Sequence, residues 1–271
     1  MASENRKILV PYDYTELSEY AVKYAVLIAK IVETELVLLH VIDELNEEAE
    51  HHKRLEEVAK AITAKYGVKV EVKIRAGVVH KVIKVVAETL DAFIVIMKAQ
   101  PPRGTERFLR SRSIRVMSGA KIPFIVVQAP PKRLSFKKIV FPIDFRTENK
   151  EKLVWISTLS KYYTSKIYLY RSDINDYKVR NNAEFSKRFL EGKSIDYEIV
   201  GNKEKLPFAE ATLNFAHEVD AQLIIIMLRK RFGLFSNLFG ISEQKYISNK
   251  YKIPVMCINP KIELHRYGGF Y

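Results

Sequence analysis

Short, continuous apolar runs alternate with longer stretches of helical period along the chain. Ile8-Leu9-Val10 reads as a strand. Residues 14–33 follow, with Leu17, Ala21, Tyr24, Ala25 and Ile28 three or four positions apart, which predicts an amphipathic helix with Thr15 as its N-cap. Leu36 to Val41 is a second apolar run, and a charged helix is predicted over 46–66, ending before Gly67. Val68 to Arg75 alternates in the manner of a strand, a helix is predicted over 78–89, and Phe93 to Met97 is another apolar run. A basic loop over 98–105 leads into a helix reaching about residue 119, and Phe124 to Val127 closes the series. Strands that are apolar throughout, separated by helices, predict a parallel sheet covered on both faces: the α/β class, doubly wound.

The pattern then repeats. Lys7-Ile8-Leu9-Val10-Pro11-Tyr12-Asp13 returns 131 residues later as Lys138-Ile139-Val140-Phe141-Pro142-Ile143-Asp144, and Lys121-Ile122-Pro123 returns at the same offset as Lys252-Ile253-Pro254. A period of that length is a small domain, far longer than a solenoid repeat of roughly 20–50 residues. Two tandem, doubly wound, five-stranded domains of Rossmann-like type are therefore expected, over 1–129 and 134–260. Ala129 to Arg133 would link them, and 261–271 would be a tail of unassigned structure. Strands of the second copy fall near 138–143, 166–171, 195–200, 223–228 and 254–258, and its first helix over 148–163. The closing runs, Phe124–Val127 and Val255–Ile258, would be exposed apolar edges unless they pair, so an internal pseudo-dimer across them is expected, with a homodimer of chains as a further possibility.

Charge and composition narrow the function classes. No apolar run approaches the roughly 18–20 residues of a membrane span, and the polar start leads straight into a strand, unlike a signal peptide. A single cysteine, Cys257, excludes an internal disulfide and fits a reducing compartment, so a cytoplasmic location is expected. The net charge of +13 admits an acidic partner or a small anionic ligand. No nucleic-acid motif accompanies it, which argues against DNA or RNA.

The repeated Ile-Leu/Val-Val/Phe-Pro-x-Asp element, the small residues in the helix after it, Leu38-Leu39-His40-Val41, Val95-Ile96-Met97 and Lys121-Ile122-Pro123-Phe124-Ile125-Val126-Val127 together resemble the universal stress protein family. The resemblance covers about 5–128 well and 136–259 more loosely, and the whole chain is similar to the tandem members. It implies a five-stranded α/β domain that pairs through its last strand and, in many members, ATP or another nucleotide as ligand. Carried over by residue, the adenine-side aspartate is Asp13, and Asp144 in the second copy. The adenine-side valine is Val41, matched by Ser172, and the glycine that opens the third helix is Gly77, with Gly201 as a second-copy counterpart.

The phosphate motif departs from the family pattern, Gly-x2-Gly-x9-Gly-Ser/Thr. Its positions fall on Lys98, Pro101, Ser111 and Arg112 in the first copy, and on Met227, Lys230, Gly240 and Ile241 in the second, give or take one residue. Glycines let the backbone approach phosphate, whereas Pro101 offers no N–H. In their place stand Arg103, Arg107, Arg110, Arg112 and Arg115 in one copy and Arg229, Lys230 and Arg231 in the other. Guanidinium groups can grip anions without a glycine cradle. The expectation is a binding or regulatory module of stress response with a degraded nucleotide site, and no cofactor is certain. One alternative is a nucleotide binder using the second copy through Asp144, Arg229, Lys230, Gly233 and Gly240; another is a basic adaptor for an acidic partner. No nucleophile–base pair or paired-acid motif is readable, which leans away from an enzyme. His40 reads as a packed, hydrogen-bonded histidine, His51 and His52 as surface residues with no third metal ligand, and Cys257 as a buried, inert thiol.

Overall fold

A computed structural model describes residues 6–44, 47–99, 112–133, 135–146, 149–172, 176–203, 205–228 and 241–260, with Arg112, Asn149 and Ile241 described by backbone alone. In the first half the order is β1 (Ile8–Pro11), α1 (Glu16–Val32), β2 (Leu36–Ile42), α2 (Glu48–Tyr66), β3 (Val70–Ala76), α3 (Val79–Thr89), β4 (Ile94–Lys98), α4 (Arg112–Met117) and β5 (Phe124–Val127). The second half repeats it: β6 (Lys138–Ile143), α5 (Asn149–Ser160), β7 (Lys166–Arg171), α6 (Tyr177–Glu191), β8 (Tyr197–Gly201), α7 (Phe208–Glu218), β9 (Leu223–Met227), α8 (Ile241–Ile247) and β10 (Val255–Ile258). The predicted elements form wherever they fall on described residues, with ends shifted by a few residues, and the start of the helix predicted after the basic loop lies outside those residues. The first helix, for instance, starts at Glu16 because Tyr14 is left-handed (φ 60°) and Thr15 is an extended N-cap that accepts a hydrogen bond from the Ser18 N–H.

The ten strands make one sheet in the order β3-β2-β1-β4-β5-β10-β9-β6-β7-β8. Within each half the pairs are parallel, as the apolar runs predict. At the centre β5 and β10 run antiparallel, with Val255 opposite Val126, Met256 opposite Ile125 and Cys257 opposite Phe124. The closing strands thus cover each other's edge, as expected. Helices α1, α2, α5 and α6 pack one face of the sheet, and α3, α4, α7 and α8 the other, giving two separate apolar cores.

The seam has a polar clamp. Asn259, just past β10, donates through Nδ2 to the carbonyls of Met117 (2.6 Å) and Ala120 (3.0 Å), and its Oδ1 accepts from the Gly119 N–H (3.3 Å). A second-half residue therefore adds a donor to the Met117 carbonyl, which also accepts from the Ala120 N–H (3.2 Å), and one to the Ala120 carbonyl past the end of α4. Gly119 is left-handed there (φ 69°), which ends the predicted helix about two residues early. Cys257 is buried in β10, and burial pushes its thiol up, in keeping with an inert residue.

Candidate functional site

In each half the chain lays down three strands in one direction and then jumps back across its first strand. This places a topological switch point between β1 and β4, and another between β6 and β9. Ligands of doubly wound folds bind in the crevice at the carboxyl ends of such strands. Asp13, Val41 and Gly77 all reach this edge of the first half. Asp13 lies two residues past β1, Val41 sits near the end of β2 opposite Arg75, and the Gly77 N–H donates to the Ile42 carbonyl at 3.0 Å. Gly77 has φ 128°, a conformation L side chains rarely adopt. The equivalence with Gly201 fails on register. Gly201 pairs with Arg171, so it occupies the place of Ile74 rather than of Gly77.

Asp13 is already engaged. Its Oδ1 accepts from Thr15 Oγ1 at 2.6 Å and from Ser18 Oγ, and its Oδ2 is ion-paired with Lys98 Nζ. Lys98 Nζ also donates to Thr15 Oγ1 at 2.9 Å. Burial works to raise the Asp13 pKa, but the hydrogen bonds from Lys98, Ser18 and Thr15 outweigh it and hold the carboxyl at about 2. Lys98 is the last residue of β4 and Asp13 follows β1, so the pair spans the switch point. Lys98, at the position of the motif's first glycine, is thus the partner of Asp13.

The second half closes its crevice by a different route. Asp144 Oδ2 accepts from Arg146 Nε at 2.7 Å, and Arg146 Nη1 donates to the Met227 carbonyl at the end of β9, 3.2 Å away. Asn182 Nδ2 ties the turn down by donating to the carbonyls of Asp144 (2.9 Å) and Arg146 (2.8 Å). Nearby, Lys152 is fully buried on α5, donating to the Pro142 carbonyl (2.6 Å) with its ammonium over the Phe141 ring (4.2 Å). Burial brings its pKa down to about 7, against the attraction of Asp144. Glu243 is buried in the first turn of α8. A carboxylate there disfavours a second anion at that end of the helix. Ser172, at the place of Val41, is buried, and its hydroxyl has no hydrogen-bond partner among the described residues.

Sequence reasoning missed the ring cluster beside the first crevice. Tyr14 meets Tyr12 (5.3 Å between centroids), His40 (4.9 Å) and His51 (6.3 Å), while Arg54 lies 3.9 Å over its ring. His40 Nδ1 is 2.7 Å from the Tyr12 carbonyl, and burial lowers its pKa. His51 turns inward against His40 at 4.7 Å, whereas its neighbour His52 faces Glu56. The i, i+3 spacing of His51 and Arg54 on one helix was the available signal. Among the described residues no group of three or more His, Cys, Asp or Glu side chains is placed to hold a metal ion. Arg229, Lys230, Gly233 and Gly240 lie outside the described residues, as do Pro101, Arg103, Arg107, Arg110, Ser111, Arg231 and the tail over 261–271. Arg115 is exposed on α4. No described helix is long and apolar enough to cross a membrane.

Comparison with known proteins agrees with this architecture. The sequence profile of the universal stress protein family matches residues 4–128. A universal stress protein of Methanocaldococcus jannaschii is 30% identical over 145 residues, which cover 47% of this chain and 84% of that protein. The crystal structure of a universal stress protein from Archaeoglobus fulgidus superposes with a TM-score of 0.78 at 19% identity, covering 95% of this chain and 97% of the other. A functionally unknown protein from Pseudomonas aeruginosa superposes at 0.67 and 17% identity, covering 95% and 93%. At these identities the two superpositions speak to fold alone, and they extend it over both halves.

Proposed function

The chain belongs to the universal stress protein family, and from that premise we propose that it is a non-catalytic binding or regulatory module of stress response whose nucleotide crevices are occupied by its own side chains. The halves 1–129 and 134–260 are its two domains in this reading. The observation that carries it is the Lys98–Asp13 ion pair across the first switch point. A nucleotide entering there in the family's manner would have to displace an ammonium hydrogen-bonded to both Asp13 and Thr15. It would gain no glycine cradle in return. The second half carries the parallel Arg146–Asp144 bridge. The test is native mass spectrometry of the freshly purified full chain. It is expected to show the apo mass, and a stoichiometric ATP adduct that survives desalting would refute the reading.

A second reading has one observation in its favour. The hydroxyl of Ser172, without a hydrogen-bond partner among the described residues, leaves polar capacity at the second crevice, so any residual anion site belongs to that half, with Asp144, Arg229, Lys230, Gly233 and Gly240. The nucleotide or other small anion it takes would be held weakly, because Arg146 already neutralises Asp144. Thermal-shift titration with ATP, AMP, polyphosphate and sulfate decides this. Stabilisation of wild type that Gly240→Val removes would support the second site, and an equal response from both proteins would exclude it.

A further inference from the structure

The duplication supplies an internal control for a groove at the outer edge of the first half, between the edge strand β3 and helix α3, where Arg75 sits opposite Val41. In the first half, Val70, Val72, Ile74 and Ala76 of β3 pack toward α1 and α2, so strand alternation turns Glu71, Lys73 and Arg75 to the α3 face. Between these residues and α3 is an open cavity of about 310 Å³, lined by Lys73, Arg75 and Lys81 and floored by Val82, Val85, Val86 and Leu90. Val85 is 60% exposed. None of the three cations is ion-paired among the described residues, although Arg75 Nη1 donates to the Ile74 carbonyl (2.7 Å).

The second half fills the corresponding place with its own rings. Tyr170 of β7, which matches Leu39 of β2, stacks on Phe208 (5.9 Å) and Phe215 (4.6 Å) of α7, and Tyr168 meets Phe215 edge-on (5.6 Å). Aligning the two 11-residue helices sets Phe208 against Val79 and Phe215 against Val86. On the strand, Val200 pairs with Tyr170 where Lys73 pairs with Leu39, and Asn202, which accepts from the Tyr170 hydroxyl (3.0 Å), follows at the place of Arg75. One copy is therefore filled by rings, with Glu210 standing at the place of Lys81, and the other is hollow and cationic.

We propose that the β3–α3 groove of the first half is a binding site for a small amphiphilic carboxylate, its aliphatic tail on Val82, Val85, Val86 and Leu90 and its head on Lys73, Arg75 and Lys81. The charge complementarity fixes the anionic head, and the valine floor fixes the tail. The volume favours a small ligand over a partner helix. It sits at the low end of the roughly 300–1,000 Å³ of small-molecule sites, and a single helical turn about 10 Å across and 5.4 Å high sweeps roughly 420 Å³. The site is independent of the nucleotide reading above.

The test is calorimetric titration of the full chain with decanoate below its micellar concentration, alongside decanol and acetate. Saturable decanoate binding is expected, with decanol weaker and acetate silent. Lys73→Val/Arg75→Asn, which writes the second half's residues into surface positions, should weaken decanoate by at least about ten-fold. Val86→Phe, matching Phe215, should abolish it; should that variant misfold, the surface pair decides. No saturable decanoate binding, equal binding to the double variant, or capture of an acidic peptide without decanoate binding would overturn the proposal.

Discussion

Asp13 and Lys98 stand 85 positions apart and yet form the contact on which the functional reading turns. The aspartate and the lost glycine were both legible in the sequence, but their meeting was not, since it requires the β1–β4 adjacency that only the crossover creates. The pair sets a pH dependence. Its folded pKa, about 2, lies below the ordinary carboxylate value, so its stabilisation is present above pH 4 and lost as pH falls toward 2. Acid unfolding of Asp13→Asn should accordingly show a shallower loss in that window than wild type; identical curves would mean the pair contributes nothing measurable. Lys152 gives a slope of the same sign at higher pH, but there the shift is a penalty on the charged form that is relieved as the amine deprotonates. A buried amine titrating near 7 in the folded state, against about 10.5 when unfolded, makes stability rise between pH 7 and 10. Each pKa unit corresponds to about 1.4 kcal/mol. Denaturant unfolding across that range should slope upward for wild type and flatten for Lys152→Met. The sequence held a clue to this residue, because its match at the 131 offset is Ala21, which is fully buried.

At the scale of elements, the apolar runs located the inner strands, because a strand buried on both faces needs little besides apolar side chains, whereas the edge strand β3, half exposed, showed as alternation instead. Helix ends were less legible. The left-handed Tyr14 and the clamp by Asn259 are set by tertiary partners that propensity does not encode. Asn259 donates to two carbonyls and accepts from one amide of the other half at part-buried or exposed positions, where a hydrogen bond contributes a net of about 0.5–1.5 kcal/mol. Asn259→Ala should therefore lower the unfolding free energy by roughly that amount, measured by urea denaturation. An unchanged midpoint would mean that solvent replaces the clamp. The ring cluster of Tyr14, His40 and His51 was illegible for the opposite reason: adjacent histidines on a charged helix resemble surface residues until α2 is docked on the sheet.

At the scale of the molecule, two copies of one unit meet in a continuous sheet through β5 and β10, and the 131-residue repeat announced that arrangement because exposed closing strands need a partner. The copies have since diverged in chemistry more than in shape. Each neutralises the aspartate after its first strand, but with a lysine from β4 in one half and an arginine two residues downstream in the other. Two unlike solutions to one electrostatic problem, at the same place in the fold, are what the proposed loss of nucleotide binding would require. The central claim is tested most directly by calorimetric titration of Mg·ATP into the full-length wild-type chain. The account predicts no saturable binding in the micromolar range, and at most weak binding traceable to the second half. Tight, magnesium-dependent binding that Asp13→Ala abolishes would contradict it.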